Sequence, residues 1–346
     1  MFLLQEIMDT MPDCDISKVL TDILCCPRCH APVDIVVREL PDKQSLRCGD
    51  CKAEFSGVDD SFDLTIAEGE RELERHHYQQ AYLSRSISLP TDFDPEHWSR
   101  RWADPHWPQC RLILKRLGDL NGKVVLCLGN GASTKELYFL TLGARLMCSD
   151  LSMSGVLAAK SRYNLGELAC HAAFHAMDAC RIPVRDHSID VVYGYEFVHH
   201  LVDLDAFFRE VHRVLKPGGL CVFFDHAYSS IWQGAKRTFL WPLMRLSHLL
   251  HKRSPEDVRA TYAGGYKEHF LQDLAARHGF SKGFFDRVMF FQYLFTNGVG
   301  SLLGWKLPPV CYRVPGTIGR FMDRLLTDRF DFLRRSRIGL VWGFRN

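Results

Sequence analysis

No uncharged apolar run in the 346 residues reaches the roughly 20 residues that a membrane-crossing helix needs, which argues against a spanning protein. The opening MFLLQEIM is too short and too acidic to read as a secretory signal. A surplus of one charge is also missing: 43 Lys and Arg stand against 41 Asp and Glu, a formal net charge of +2. Without that surplus there is no overall field to hold a polyanion, so a nucleic-acid substrate would need a local patch. One local excess exists. Arg313, Arg320, Arg324, Arg329, Arg334, Arg335, Arg337 and Arg345 face only Asp323, Asp328 and Asp331 over the last part of the chain. That stretch reads either as a solvated helix face or as a contact for anionic lipid, phosphate or RNA. Cysteine is not scarce, and most of the 13 are scattered through strand and helix contexts. Such usage fits a reducing compartment, and the expected location is cytoplasmic.

Polar alternation is absent from residues 123–133, KVVLCLGNGAS. Val124, Val125, Leu126 and Leu128 suit a parallel strand covered on both faces. Gly129 and Gly131 then allow a sharp turn and a ligand close to the backbone. Ser133 and Glu136 have capping-box spacing for the helix expected next. Further on, LMCSDLS puts Asp150 at the end of a second apolar strand, where a doubly wound sheet presents an acid to ribose hydroxyls. AMDACRIPV places Asp178 just past a third strand, and IDVVYGYEFVHHL opens a fourth with Asp190 beside its start. RVLKPGGLCVFF closes a helix with Lys216, Pro217, Gly218 and Gly219 before a fifth strand. LQDLAARHGF reads as a helix, FFDRVMFFQYLF as a sixth strand and IGLVWGF as the closing one. The fold class expected is α/β, a doubly wound sheet with helical insertions.

In this order the motifs resemble the Rossmann-type (class I) S-adenosylmethionine-dependent methyltransferases, over residues 110–285 and the last strand. IDVVYGYEFVHHL paired with RVLKPGGL is similar to the signature of the small-molecule branch that includes the quinone-biosynthesis methyltransferases. The resemblance implies that Gly129 and Gly131 lie under the methionine part of the cofactor. It further implies that Asp150 holds the ribose, Asp178 accepts from the adenine amino group and Ala179 adds a backbone N–H. Asn130, Leu151 and Tyr195 complete the implied cofactor-binding set. Two positions depart from the family pattern: Cys127 stands where an acid is usual, and Ser133 where a third glycine is usual. The first change removes a partner for the cofactor's ammonium group. A nicotinamide dehydrogenase also pairs a glycine turn with an acid such as Asp150. Its fingerprint needs a third glycine where this chain has Thr134, and neither HHL nor LKPGG serves hydride transfer.

LCCPRCHAP and LRCGDCKAEF supply Cys26, Cys29, Cys48 and Cys51, two Cys-x-x-Cys pairs at zinc-ribbon spacing. Pro27 and Gly49 shape the two knuckles. Four protein thiolates leave no open position for a substrate, so the metal expected is structural zinc. Cys25 competes for the first position, but only Cys26 leaves two residues before Cys29. This arm, residues 18–64, resembles the short ribbon of the activator subunit of tRNA and protein methyltransferases. It also resembles the ribbon in front of certain ribosomal-RNA guanine methyltransferases.

Residues 65–109 read as a helical linker and lid. EGERELERHHYQQAYLSR is the polar linker, across which the arm is expected to fold apart from the cofactor domain. DFDPEHWSRRWADPHWPQ brings Trp98, Trp102 and Trp107 together, either as a lid over the site or as ordinary packing. The methyltransferase domain is expected over 110–346, with insertions at 227–262 and 297–336. The first insertion contains an amphipathic stretch from Phe239 to Leu250. Such insertions build substrate pockets, and their apolar and basic mixture also suits peripheral contact with a membrane surface.

Methyl transfer is an in-line displacement at an already activated carbon, so alignment is the main demand. A base is needed only if the acceptor must lose a proton, and His199, His200, Glu196 and His226 are the candidates at the strand ends. The function expected is S-adenosylmethionine-dependent methylation of a small or lipid-like biosynthetic metabolite. Two alternatives stand beside it. One is an RNA methyltransferase gripping its substrate through the ribbon and the basic tail. The other is a non-catalytic, cofactor-binding scaffold.

Overall fold

The computed structural model describes residues 20–37, 44–58, 60–66, 68–83, 90–235, 238, 265–296 and 310–346. The stretch from Phe239 to Leu250 and residues 297–309 of the second insertion lie outside the described residues.

The N-terminal ribbon is an antiparallel meander of β1 (Val33–Val37), β2 (Gln44–Cys48), β3 (Glu54–Val58) and β4 (Ser61–Phe62). Helix α1 (Glu70–Leu83) follows. After it come α2 (Pro95–Ala103) and α3 (Pro108–Leu117), and β5 (Thr91–Asp92) pairs with β8 (Tyr163–Asn164). Asp94 caps α2 by accepting from the N–H groups of Glu96 and His97, and Pro95 occupies the first turn, where no N–H is needed.

The main sheet holds seven strands in the order β12-β13-β11-β10-β6-β7-β9. They are β6 (Val124–Leu128), β7 (Arg145–Asp150), β9 (Ala172–Ala176), β10 (Ile189–Tyr195), β11 (Leu215–His226), β12 (Phe284–Val288) and β13 (Gly339–Arg345). Six share one direction, and β13 alone is reversed, antiparallel to both β11 and β12. The chain builds outward from β6 through β7 to β9 and then returns to place β10 on the other flank of β6. That reversal opens a crevice at the carboxyl ends of β6 and β10, the place where open α/β sheets bind ligands. Helices α4 (Met153–Lys160), α5 (Leu204–Val214) and α6 (Glu268–Arg277) belong to this frame. Phe207, Phe208 and Val211 of α5 are buried, with Phe208 stacked on Trp342 of β13.

Four local features differ from the sequence expectation. After the glycine turn, residues Lys135–Leu142 form a 3₁₀ helix, and the Ser133 hydroxyl donates to the Glu136 carboxylate at 3.1 Å instead of capping backbone. The KPGG segment lies within β11, whose pairing with β10 shifts register there. The sixth strand stops at Val288, because the Asp323 carboxylate accepts from the N–H groups of Phe290, Phe291 and Gln292 and so starts a helical turn.

The fourth difference is the ribbon, which is docked and shares the domain's core. Leu24, Phe62 and Leu64 lie in one buried cluster with Leu126, Met177 and Val184. The Leu64 N–H donates to Ala176 of β9 at 2.9 Å, and the Cys25 N–H to Pro183 at 2.9 Å. The ribbon therefore covers β9, the strand that would otherwise be an open edge.

Candidate functional site

A cavity of about 200 Å³ lies at the carboxyl ends of β6, β7, β9 and β10. Its walls bring together Gly129, Asp150, Leu151, Asp178 and Ala179 with Glu196 and His200. Asn130 is buried beside it, its N–H bonded to Ser149 at 2.9 Å. The Gly131 N–H donates to Asp150 Oδ2 at 2.7 Å and the Ser152 N–H to Oδ1 at 2.9 Å, so turn and carboxylate hold each other. Burial raises the Asp150 pKa, against the pull of those N–H donors. Gly129 has φ 67 and any Cβ there would run into Phe197, so only glycine fits. Cys127 is buried, and burial first, with Cys148 beside it, pushes its thiol far above the ordinary value. It stays neutral and cannot replace the acid usual at that position.

The other wall is α1, whose Arg71, Glu74, Tyr78 and Tyr82 stand on one helical face. The linker is therefore part of the site. Arg71 pairs with buried Asp178 at 2.8 Å, and the Tyr78 hydroxyl lies 3.3 Å from His200 Nδ1. Burial, then the charges of Asp150 and Asp178, lifts Glu74 to about 7. The only sequence sign of this face was the spacing of one cation, one acid and two tyrosines at helical intervals.

A second cavity, of about 280 Å³, adjoins the first. Tyr195, Phe224, Trp107, Tyr293 and His226 give it an aromatic lining, with Arg101 and Arg313 also on its walls. Tyr195 thus lines this space, apart from the rest of the implied cofactor set. Its hydroxyl accepts from Gln109 Nε2 at 2.7 Å. Glu196 borders both cavities and holds φ 53, with its N–H donating to Phe224 at 2.8 Å. A non-glycine residue kept at positive φ is strained, and such strain clusters at functional sites.

Between the cavities lies a group the sequence reading missed in part. Asp225, fully buried near the end of β11, accepts from His199 Nδ1 at 2.7 Å, from the His199 N–H at 3.2 Å and from the His226 N–H at 2.9 Å. An ionised carboxylate only accepts, so Nδ1 of His199 carries the proton and Nε2 is left with a lone pair. Burial would lower the His199 pKa, but the hydrogen bond and charge of Asp225, followed by Glu196 and Glu74, raise it above the ordinary value. His226 Nε2 lies 3.3 Å from the Tyr293 hydroxyl. An acid at the carboxyl end of an apolar strand, followed directly by histidine, was the signal available for Asp225.

Residues 126–223 match the family described as "Methyltransferase domain". This chain carries a Rossmann-type methyltransferase domain. A ubiquinone biosynthesis O-methyltransferase of Bradyrhizobium sp. (strain ORS 278) is 33% identical over 108 residues, covering 31% of this chain and 42% of that protein. A probable phthiotriol/phenolphthiotriol dimycocerosates methyltransferase 2 of Mycobacterium ulcerans (strain Agy99) is 36% identical over 109 residues, covering 31% of this chain and 41% of that protein. The chain spans less than half the length of the curated relatives it matches. Among solved structures, phosphoethanolamine N-methyltransferase 2 of Haemonchus contortus aligns with a TM-score of 0.44 at 15% identity, covering 69% of this chain and 52% of that chain.

The tryptophans ahead of the methyltransferase domain divide in two. Trp102 is buried, its indole N–H bonded to the Lys135 carbonyl at 2.9 Å, and Trp98 packs on the same cluster. Trp102 is a core residue and Trp98 a half-buried one packed against that core. Trp107 faces the larger cavity, with the Arg101 guanidinium 4.3 Å from its ring centroid.

In the ribbon, the sulfurs of Cys26, Cys29, Cys48 and Cys51 all lie within 4.8 Å of one another. Cys26 and Cys51 are 3.6 Å apart, and Cys29 and Cys48 are 3.4 Å apart. His30 and Lys52, each following the second cysteine of a pair, adopt φ 58 and φ 60, which wraps each knuckle around its sulfurs. Cys25 is not in the set; it is buried, and burial pushes its thiol up to about 12.

Proposed function

We propose that this protein transfers a methyl group from S-adenosylmethionine to a small or lipid-like acceptor, with one zinc ion holding the ribbon. The observation that carries this reading is the pair of cavities meeting at Glu196, one lined by carboxylates and the other by aromatic rings. Two ligands seated there would meet at a shared wall, as an in-line transfer requires.

The smaller cavity suits the cofactor electrostatically. Asp150, Asp178 and Glu74 face it against a single Arg71, an excess of negative charge that a cationic ligand rich in N–H and O–H donors relieves. Asp150 is assigned to the ribose hydroxyls, Asp178 and Ala179 to the adenine edge, and Gly129 and Gly131 to the methionine end. Glu74 compensates from α1 for the acid absent at Cys127, as the counter-charge to the ammonium group. When bound, the cofactor supplies a methyl group made electrophilic by its sulfonium.

The chain's own contribution is alignment and, for an acceptor that must be deprotonated, a base. His199 stands between His200 on the smaller cavity and His226 on the larger, with ring centroids 4.1 and 6.0 Å away. Asp225 holds its Nδ1–H, which turns Nε2 into the atom that accepts the proton. The aromatic lining of the larger cavity supports a flat or acyl-bearing acceptor, and the relatives named for ubiquinone and dimycocerosate methylation point the same way.

The four cysteine sulfurs fit zinc, since Zn–S bonds of about 2.3 Å place tetrahedral sulfurs roughly 3.8 Å apart. The test of function is transfer of labelled methyl from S-adenosylmethionine into a cell extract separated into lipid, aqueous metabolite and RNA fractions. Label is expected in lipid or metabolite, and label confined to RNA would overturn the reading.

A further inference from the structure

Helix α7 (Val310–Met322) and the π-helical turn Asp323–Thr327 that continues it carry their polarity the wrong way round for a surface helix. The inner face is small or polar: Gly316, Gly319, Asp323 and Thr327 are buried, and a Cβ on Gly319 would run into the backbone of Gln292. The outer face is apolar. Val314, Ile318, Phe321 and Leu325 are 65%, 52%, 64% and 46% exposed, and their spacing places them in one stripe along the helix. Phe330 and Phe332, 49% and 61% exposed, follow just beyond it. Single exposed apolar residues are ordinary on any surface, but a contiguous stripe of them signals a partner.

Charge runs along one edge of this stripe. Arg313 and Arg324 are exposed beside it, while Arg320 between them is half-buried with one guanidinium nitrogen enclosed. The acids of the segment are committed elsewhere: Asp323 to three backbone N–H groups, Asp328 to Arg337 and Asp331 to Arg334. The face therefore offers apolar bulk and net positive charge together. An RNA contact would use the arginines and leave the stripe in water, whereas an anionic bilayer takes up both. The same helix also walls the larger cavity, through Arg313 and Gly316.

We propose that α7 seats the protein on an anionic membrane surface, with the stripe in the acyl boundary, the arginines at the phosphates and the mouth of the larger cavity at the bilayer. The placement is interfacial, since among the described residues no helix is long and apolar enough to cross a membrane. Docking stands on the helix face alone; that it delivers the acceptor rests on the function proposed above.

The test is co-sedimentation of the full chain with vesicles of phosphatidylcholine alone and of phosphatidylcholine mixed with phosphatidylglycerol. Binding is expected to the mixed vesicles and to weaken with added salt. Ile318→Ser with Phe321→Ser should lower partitioning by about tenfold or more. Arg324→Gln, at an exposed position, should lower it by about fivefold. Wild-type protein left in the supernatant with mixed vesicles, or either variant pelleting like wild type, overturns docking, as does salt-sensitive RNA binding without vesicle binding. Cofactor titration of the same samples reads the functional proposal separately. Vesicle binding without cofactor binding keeps the docking and removes the enzyme.

Discussion

Asp225 has no exposed surface and spends its oxygens on His199 and His226, so its effect is felt through the imidazole it orients. With the His199 pKa raised above its ordinary value, the neutral base forms only at higher pH. Turnover of an acceptor that must lose a proton is expected to rise as pH passes through that raised value. Asp225→Asn should move this acid limb downward and cut kcat by about tenfold or more, with cofactor affinity unchanged. A pH profile of kcat for both proteins checks this, and an unmoved limb would remove Asp225 from the mechanism. The stability sign is opposite. The protonated His199 pair stabilises the fold fully below the ordinary histidine value, and that contribution is lost as pH rises through the raised pKa. Single residues tied to strand ends, such as Asp150, Asp178 and the histidine pair, were visible in the sequence because each follows an apolar run. Asp225 also ends an apolar run, but its role, like that of Glu74, comes from burial against residues far away in the chain, which leaves no local trace.

Elements were legible where one periodicity dominated. Strands β6, β7 and β10 stand out as apolar runs, and the closing strand β13 as IGLVWGF. Helix α1 was visible as a helix yet looked like a polar linker, because the residues facing a polar cavity are themselves polar. The ribbon was legible from its cysteines, but its docking was not, since pairing of Leu64 with Ala176 across the chain leaves no local trace. That docking changes what metal loss should do. Cys29→Ser is expected to release zinc and lower the melting midpoint of the whole chain in one transition, because the ribbon shares the core of the sheet. Calorimetry with metal analysis measures it. Two separate transitions, with the larger one unmoved, would show that the ribbon is merely tethered.

At the scale of the molecule, one topological reversal organises everything else. The switch between β6 and β10 opens the crevice, α1 closes its side, and the ribbon covers the β9 edge. The larger cavity lies toward the other flank, where α7 presents its apolar face. The succession of strands along the chain followed from the order of motifs, whereas the partition into two cavities depends on residues from α1, α2, α3 and α7 that no motif links. The central claim is that the smaller cavity binds S-adenosylmethionine through Asp150. Isothermal titration of the full chain with S-adenosylmethionine, wild type beside Asp150→Ala, tests it most directly. Saturable binding to one site is expected, weakened in the variant by about 1–3 kcal/mol for the lost charged acceptor. No binding by the wild type, or equal affinity in the two proteins, would contradict it.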